Sequence, residues 1–325
     1  MRGIFSSPPP SYLLKVRTLK AKPKTRIKTG LEKSIGENSV FYPYLYLLPY
    51  ALFFLIFWVY PLFDGFYVSL CRYDFAETQR TFIAFKHYIS LPFDPLFRAS
   101  LINTLLFVLE TTPLIIGVGL AFALLLNLPF LKGKIVLRVL LISPFMLSMA
   151  AVCMTWEWIL GPQFGLLNYY FSQLRLPTQA WLLERGWSLF AVVLTTLWWT
   201  VGFNTILFLA GLQEIPDVLH EAAKIDGAGR WSNFWYITFP CLRPVLLFII
   251  VMQIIASFKI FGQVFIMTGG GPAESSRVMV QHIYETGFQY YRMGEASAIA
   301  WVLFVIIMVF TLAQFKVLSK QTIEY

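Results

Sequence analysis

Residues Glu221–Pro244 read EAAKIDGAGRWSNFWYITFPCLRP, a run of mixed charge set between two strongly apolar stretches. Just upstream, Pro216 suits the first turn of a helix, where a missing N–H costs nothing. Val218, Leu219, Ala222, Ala223 and Ile225 then supply an apolar face for a short helix. Asp226, Gly227 and Gly229 supply its stop, because glycine accepts the left-handed backbone of a helix exit. Trp231, Phe234, Trp235 and Ile237 predict a second amphipathic piece, and Pro240 leads into the next apolar run. The small pair Ala222–Ala223 leaves room for a second surface to approach, and Glu221 beside it offers that surface a charge. The same pattern also fits an amphipathic connector lying on a membrane face.

Composition sets the class of the surrounding chain. Of 325 residues, 58% are hydrophobic and only 13% charged, with a mean hydropathy of +0.66. Soluble domains are about one-quarter charged, so this is the composition of an integral membrane protein. The net charge of +9 does not indicate a nucleic-acid partner, because the excess lies in one tail and in particular loops. Cys71, Cys153 and Cys241 form no C-x-x-C pair and sit in or beside apolar runs, as packing residues do. His87, His220 and His282 are scattered and suggest no metal site. No G-x-x-x-x-G-K-[ST] occurs, so no nucleotide-hydrolysing site of the chain's own is expected, and neither H-E-x-x-H nor a nucleophile elbow is present.

A spanning helix needs about 20 mainly apolar residues. Six stretches qualify, approximately 43–70, 100–127, 135–160, 187–212, 244–268 and 296–317, and predict an all-α membrane domain over 41–320. Residues 1–40 form a polar arm rich in Lys and Arg, without the apolar core of a signal peptide, and 321–325 form a short tail. Lysine and arginine balance between the two sets of loops. The basic arm breaks the tie, placing both termini and Glu221–Pro244 in the cytoplasm. The arm is expected to rest on anionic membrane lipid.

Polar residues inside spans mark either helix–helix contacts or a solute path. Thr196, Thr200 and Asn204 recur every four residues on one face of the fourth span. In the fifth, Lys259 and Gln263 are expected to share one face, and Gln253 and Ser257 another. Lys259 fits a path or a snorkelling cation reaching the headgroups. Glu110 in the second span calls for a buried partner or an inward cavity. Trp156, Trp158, Trp198 and Trp199 suit interfacial anchors, with sugar stacking as the alternative. The triplet Gly269–Gly271 reads as a flexible turn on the outer face, not as a phosphate cradle, because no strand precedes it.

Glu221-Ala222-Ala223, three residues, Gly227, nine residues, Ile237, one residue and Phe239-Pro240 resembles the EAA loop of permease subunits in binding-protein-dependent ABC importers. Phe239 stands where that family usually has Leu. Further matches are Asn103-Thr104, Gly119-Leu120, Arg138, Pro144, Gly161, Gly165-Leu166-Leu167-Asn168, Leu209–Gln213 and Thr268-Gly269-Gly270-Gly271-Pro272. The maltose-type, carbohydrate-uptake branch is the most similar group over roughly 41–320. The resemblance implies six transmembrane helices with a cytoplasmic coupling helix between the fourth and fifth. That helix would dock in a cleft of the ATPase through Glu221, Ala222, Ala223 and Gly227, with Asp226 as neighbour. It also implies a second permease, two ATPase subunits that hold the ATP and Mg, an extracytoplasmic binding protein, and a sugar or oligosaccharide as solute. No cofactor is expected in this chain, which is a transport subunit and not an enzyme. The solute contacts implied are Ser257 and Lys259, with Thr196, Thr200, Asn204 and Gln263 as further path candidates. A permease for a polyol or glycerol phosphate is the alternative, and an ion-coupled secondary transporter a more distant one.

Overall fold

A computed structural model describes residues 41–74 and 79–318. The basic arm 1–40 and the tail 321–325 lie outside the described residues. The chain divides into two compact units at Tyr60. The described part of the first is apolar helix, along which Tyr50 stacks on Phe54 and Phe53 on Phe57. This helix, α1 (Tyr44–Ser69), is long and apolar enough to cross a membrane.

The second unit begins with the last part of α1. It continues through a two-residue antiparallel pair, β1 (Cys71–Arg72) and β2 (Thr81–Phe82), and the short α2 (Lys86–Ser90). Then comes α3 (Pro95–Asn127), started by Pro95 and by Asp94, whose carboxylate accepts the Leu96 N–H at 3.0 Å. Next are α4 (Lys134–Ile142), α5 (Met149–Ile159), α6 (Leu166–Gln173) and α7 (Trp187–Gln213). The chain finishes with α8 (Asp217–Ile225), α9 (Arg230–Phe258), α10 (Gly262–Met267), α11 (Met279–Tyr284) and α12 (Met293–Leu318). The helices α1, α3, α7, α9 and the Met293–Lys316 part of α12 each suffice to cross a membrane. The fold is therefore the expected all-α membrane architecture, with the small hairpin as its only described sheet.

Two spans depart from the expected straight rods. The stretch 135–160 is two helices, Lys134–Met146 and Met149–Ile159, bent by 99°. Pro144 ends the first in a 3-10 turn, Leu147 is extended, and Ser148 caps the second by accepting the Ala151 N–H. The bend lets α4 lie on α7, where a Cβ at Gly202 would run into the Leu141 carbonyl. The stretch 244–268 breaks at Lys259–Phe261, between α9 and α10. Its upstream end instead fuses with the second amphipathic piece, so that one helical run extends from Arg230 to Phe258. Within that run Phe234–Thr238 is a π-turn, as is Leu55–Val59 in α1. Each precedes a proline by two residues, Pro240 and Pro61, whose ring crowds the carbonyl four residues back and whose N–H is missing.

Three apolar clusters hold the second unit. Ala123, Leu126, Phe208, Leu209, Leu212, Leu242 and Ile249 join α3, α7 and α9 at one end. Gly211 permits the approach there, since a Cβ would meet Val245 and Leu242. Phe107, Leu160, Trp181, Leu189, Val192, Val264 and Val278 form a second cluster around the α5–α7 connection. Phe97, Val108, Phe258, Met279, Ile299 and Leu303 form a third, around α11 and α12.

Candidate functional site

The helix α8 is short, and everything that stops it is local. Pro216, in extended backbone, is its N-cap, one position earlier than the sequence suggests. At the exit Gly227 donates to the Lys224 carbonyl (3.1 Å) and Ala228 to that of Ala223 (2.8 Å), a Schellman closure. Gly227 sits at φ +78°, where any other residue would be strained, and a Cβ there would meet nothing. The helix has two apolar sides. Ala223 is buried and Leu219 packs against the cluster at the ends of α3 and α7. Val218 and Ile225 are 70% and 86% exposed. Between them, on the same turn of surface, Glu221 and Ala222 are also exposed. His220 and Asn233 (Nδ1 to Oδ1, 2.7 Å) tie α8 to the start of α9. The result is a small helix anchored on one side that presents Val218, Glu221, Ala222 and Ile225 outward, with Asp226 and Gly227 exposed at its end.

The path candidates are dispersed. Thr196 and Thr200 donate to carbonyls one turn back, Val192 (2.8 Å) and Thr196 (2.7 Å), and the Asn204 amide donates to Thr200 (3.1 Å). They do share a face of α7. Asn204 Cβ lies where α7 crosses Gly119 of α3, so its end of that face is a helix–helix contact. Gln253 and Ser257 share a face as expected: the Gln253 amide donates to Ser257 Oγ at 3.2 Å, and Ser257 is only 2% exposed. Lys259 and Gln263 do not share one. The helix ends at Phe258, so the four-residue spacing crosses a break, leaving Lys259 exposed and Gln263 buried. Trp156 meets Trp198 edge to face, and Trp199 tilts against Phe145. Glu110 lies midway along α3, half-buried, with one carboxylate oxygen buried and without a hydrogen-bond partner.

Sequence reasoning underrated the segment after α10. The glycine-rich turn is fixed, not loose. Gly269 and Gly270 have φ +58° and +91°. Gln281 donates to the Gly269 carbonyl (2.8 Å) and Ser276 to that of Gly271 (2.7 Å). Asn103 of α3 donates to the carbonyls of Glu274 (2.7 Å) and Arg277 (2.9 Å), while Thr104 accepts the Met279 N–H (2.9 Å). Arg277 pairs with Glu274 and with Glu285, and Gln281 also donates to Glu285 (2.8 Å). His282 is buried between Ser100 and Asp94. Burial holds its imidazole below the ordinary value near 6.5, Arg277 and Arg292 push the same way, and Asp94 and Glu274 oppose. A second hub is Asn168, whose amide donates to the Gln179 and Pro162 carbonyls and whose oxygen accepts from Trp181 Nε1 at 3.0 Å. The motif Asn103-Thr104 and Asn168 were visible in the sequence, but not what they hold.

With the geometry in place, the comparisons decide the family. A model described as "Binding-protein-dependent transport system inner membrane component" matches residues 97–323. This chain belongs to that family. The permease is 34% identical over 277 residues to the trehalose/maltose transport system permease protein MalF of Thermococcus litoralis, covering 84% of this chain and 92% of that one. It is 33% identical over 294 residues to the sn-glycerol-3-phosphate transport system permease protein UgpA of Brucella abortus, covering 90% and 99%. In fold, it superposes with a TM-score of 0.77 on a chain of a bacterial ABC transporter involved in the import of the acidic polysaccharide alginate, at 24% identity, covering 91% and 100%. The permease is thus a multi-pass subunit of an ABC transport system.

Proposed function

We propose that this permease carries a sugar or oligosaccharide, delivered by an extracytoplasmic binding protein, through a path shared with a second permease. Two ATPase subunits, holding ATP and Mg, would drive it through α8. The observation that carries the coupling reading is the two-sided helix. Leu219 and Ala223 fasten α8 to the ends of the spans, while Glu221 stands on an exposed stripe with Val218, Ala222 and Ile225. An exposed apolar stripe with one carboxylate is a docking face, and the strapped inner side transmits its displacement to α3, α7 and α9. Asp226 and Gly227 fix where the helix ends. The sugar reading rests on relatives such as the trehalose/maltose permease. Gln253 and Ser257 offer paired donors and acceptors at the end of α9, and exposed Lys259 adds a cation. Thr196, Thr200 and Asn204, whose donors bond carbonyls within α7, and Gln263, buried on α10, are proposed as path residues of lower rank.

The test is copurification of the full-length permease with an ATPase subunit, followed by uptake in vesicles. Glu221→Ala is expected to retain the subunit in the membrane and lose ATP-driven uptake. Uptake driven by an ion gradient without ATP would overturn the reading in favour of a secondary transporter. A polyol phosphate is the second reading, favoured by Lys259 and by the relative named for glycerol phosphate. Lys259→Met separates the two, abolishing uptake of a phosphorylated solute and only reducing that of a neutral sugar. We further propose that both termini are cytoplasmic. A cysteine near residue 275 should then react with an impermeant reagent in intact cells, and one near residue 229 should not.

A further inference from the structure

A cavity of about 630 Å³ lies behind α8, on the side away from the exposed stripe. One part of its wall is apolar: Leu124, Leu128, Phe130 and Phe234. The other part is cationic or polar: Lys224 and His220 from α8, and Arg230 and Asn233 from the start of α9. Among the described residues lining it none is acidic, although Glu221 and Asp226 flank Lys224 in sequence. Lys224 and Arg230 are exposed, and neither makes an ion pair among the described residues.

Its level in the membrane follows from the helices that meet there. Asn127 is the last residue of α3, Leu212 the last but one of α7, and Arg230 the first of α9. Three helices long enough to cross a membrane therefore end or begin at the cavity, and cations beside an apolar wall at the ends of such helices suit the headgroup level. Basic pockets between transmembrane helices, placed at this level, hold anionic headgroups.

We infer that this cavity binds an anionic phospholipid, with its phosphate between Lys224 and Arg230 and the top of an acyl chain against Leu124, Leu128, Phe130 and Phe234. The lipid fills the gap between α8 and the ends of α3 and α7, and so sets how firmly α8 is held. The site is distinct from Glu221 and does not depend on which solute is carried.

The full-length permease, with any subunits that copurify, is titrated in detergent with phosphatidylglycerol or phosphatidylcholine, and bound lipid is read by native mass spectrometry. Phosphatidylglycerol is expected to be retained in preference. Lys224→Gln with Arg230→Gln weakens its binding about 30-fold, from two headgroup charges lost, and leaves phosphatidylcholine unchanged. Lys224→Arg with Arg230→Lys restores it. The control pair Arg175→Gln with Arg185→Gln, both exposed in another loop, has no effect. Equal phosphatidylglycerol binding in the Lys224/Arg230 variant overturns the inference, as does an equal loss in the control pair. Displacement of the lipid by soluble glycerol phosphate assigns the site to a free phosphate ester instead. Loss of a copurifying ATPase subunit with lipid binding intact assigns the two cations to that partner.

Discussion

The two ends of α9 are built on opposite principles. At its far end the segment 268–286 pairs its charges within the chain and buries most of its polar groups, Gln281 Oε1 and Thr286 Oγ1 being left without a partner among the described residues: Arg277 bonds Glu274 and Glu285, the Gln281 amide bonds Gly269 and Glu285, and Asn103 bonds two carbonyls. At its near end α8 exposes Glu221, Lys224 and Asp226, and none of the three makes an ion pair among the described residues. Burial makes an unpaired charge costly, so charges at the far end must find partners within the chain. Water relieves that demand at the near end, and the charges stay available to something else. The contrast separates a region whose polar residues hold the fold from one whose polar residues are left to solvent.

The sharpest way to break this comparison is to remove one member of the buried pair. Arg277→Ala leaves Glu285 buried and uncompensated, and is expected to cost about 3–5 kcal/mol. Thermal unfolding of the purified permease measures it; a loss under 1 kcal/mol would show that water already reaches the pair. Next in size is Asn103→Leu, which strips the donors from two loop carbonyls at a cost of about 1–3 kcal/mol. It should also release the 268–278 segment to faster amide exchange, and unchanged exchange there would count against the pinning role of Asn103.

The pH dependence is smaller and has a definite sign. The folded His282 imidazole titrates below its ordinary value near 6.5, chiefly because it is buried. Between that value and the lower folded one, the unfolded chain binds the extra proton. Stability is therefore fully present above about 6.5 and falls as the pH drops through the window, by at most about 1.4 kcal/mol per pH unit. His282→Gln should flatten that slope in melting curves taken from pH 7 downward; an unchanged slope would assign it to other groups.

The smallest expected effect on stability is at the other end. Glu221→Ala, at an exposed position, should change unfolding by no more than about 0.5 kcal/mol, while uptake is lost if α8 couples to an ATPase. A large loss of stability would mean that Glu221 belongs to the fold after all, and the contrast between the two ends would fail.

The sequence by itself determined the membrane class, the apolar stretches and the short helix with its glycine exit. Those follow from local rules: about 20 apolar residues to cross the hydrocarbon, a proline at a helix start, a left-handed glycine at its end. The motif at Glu221–Pro240 was equally legible, because its residues and gaps are fixed along the chain. Only the tertiary structure decided the rest. The 99° bend at Leu147–Ser148 and the break at Lys259 lie in runs whose hydropathy averaged over a span stays high despite a few polar residues, so a hydropathy window is blind to them. The break undid the pairing of Lys259 with Gln263, since a four-residue spacing means a shared face only while the helix continues. The roles of Asn103, Asn168, Gln281 and Arg277 were hidden for a different reason. Most of their partners lie outside their own helical turn, up to 174 residues away for Asn103, and a buried donor is matched to its acceptor by how helices pack, which no window along the chain records.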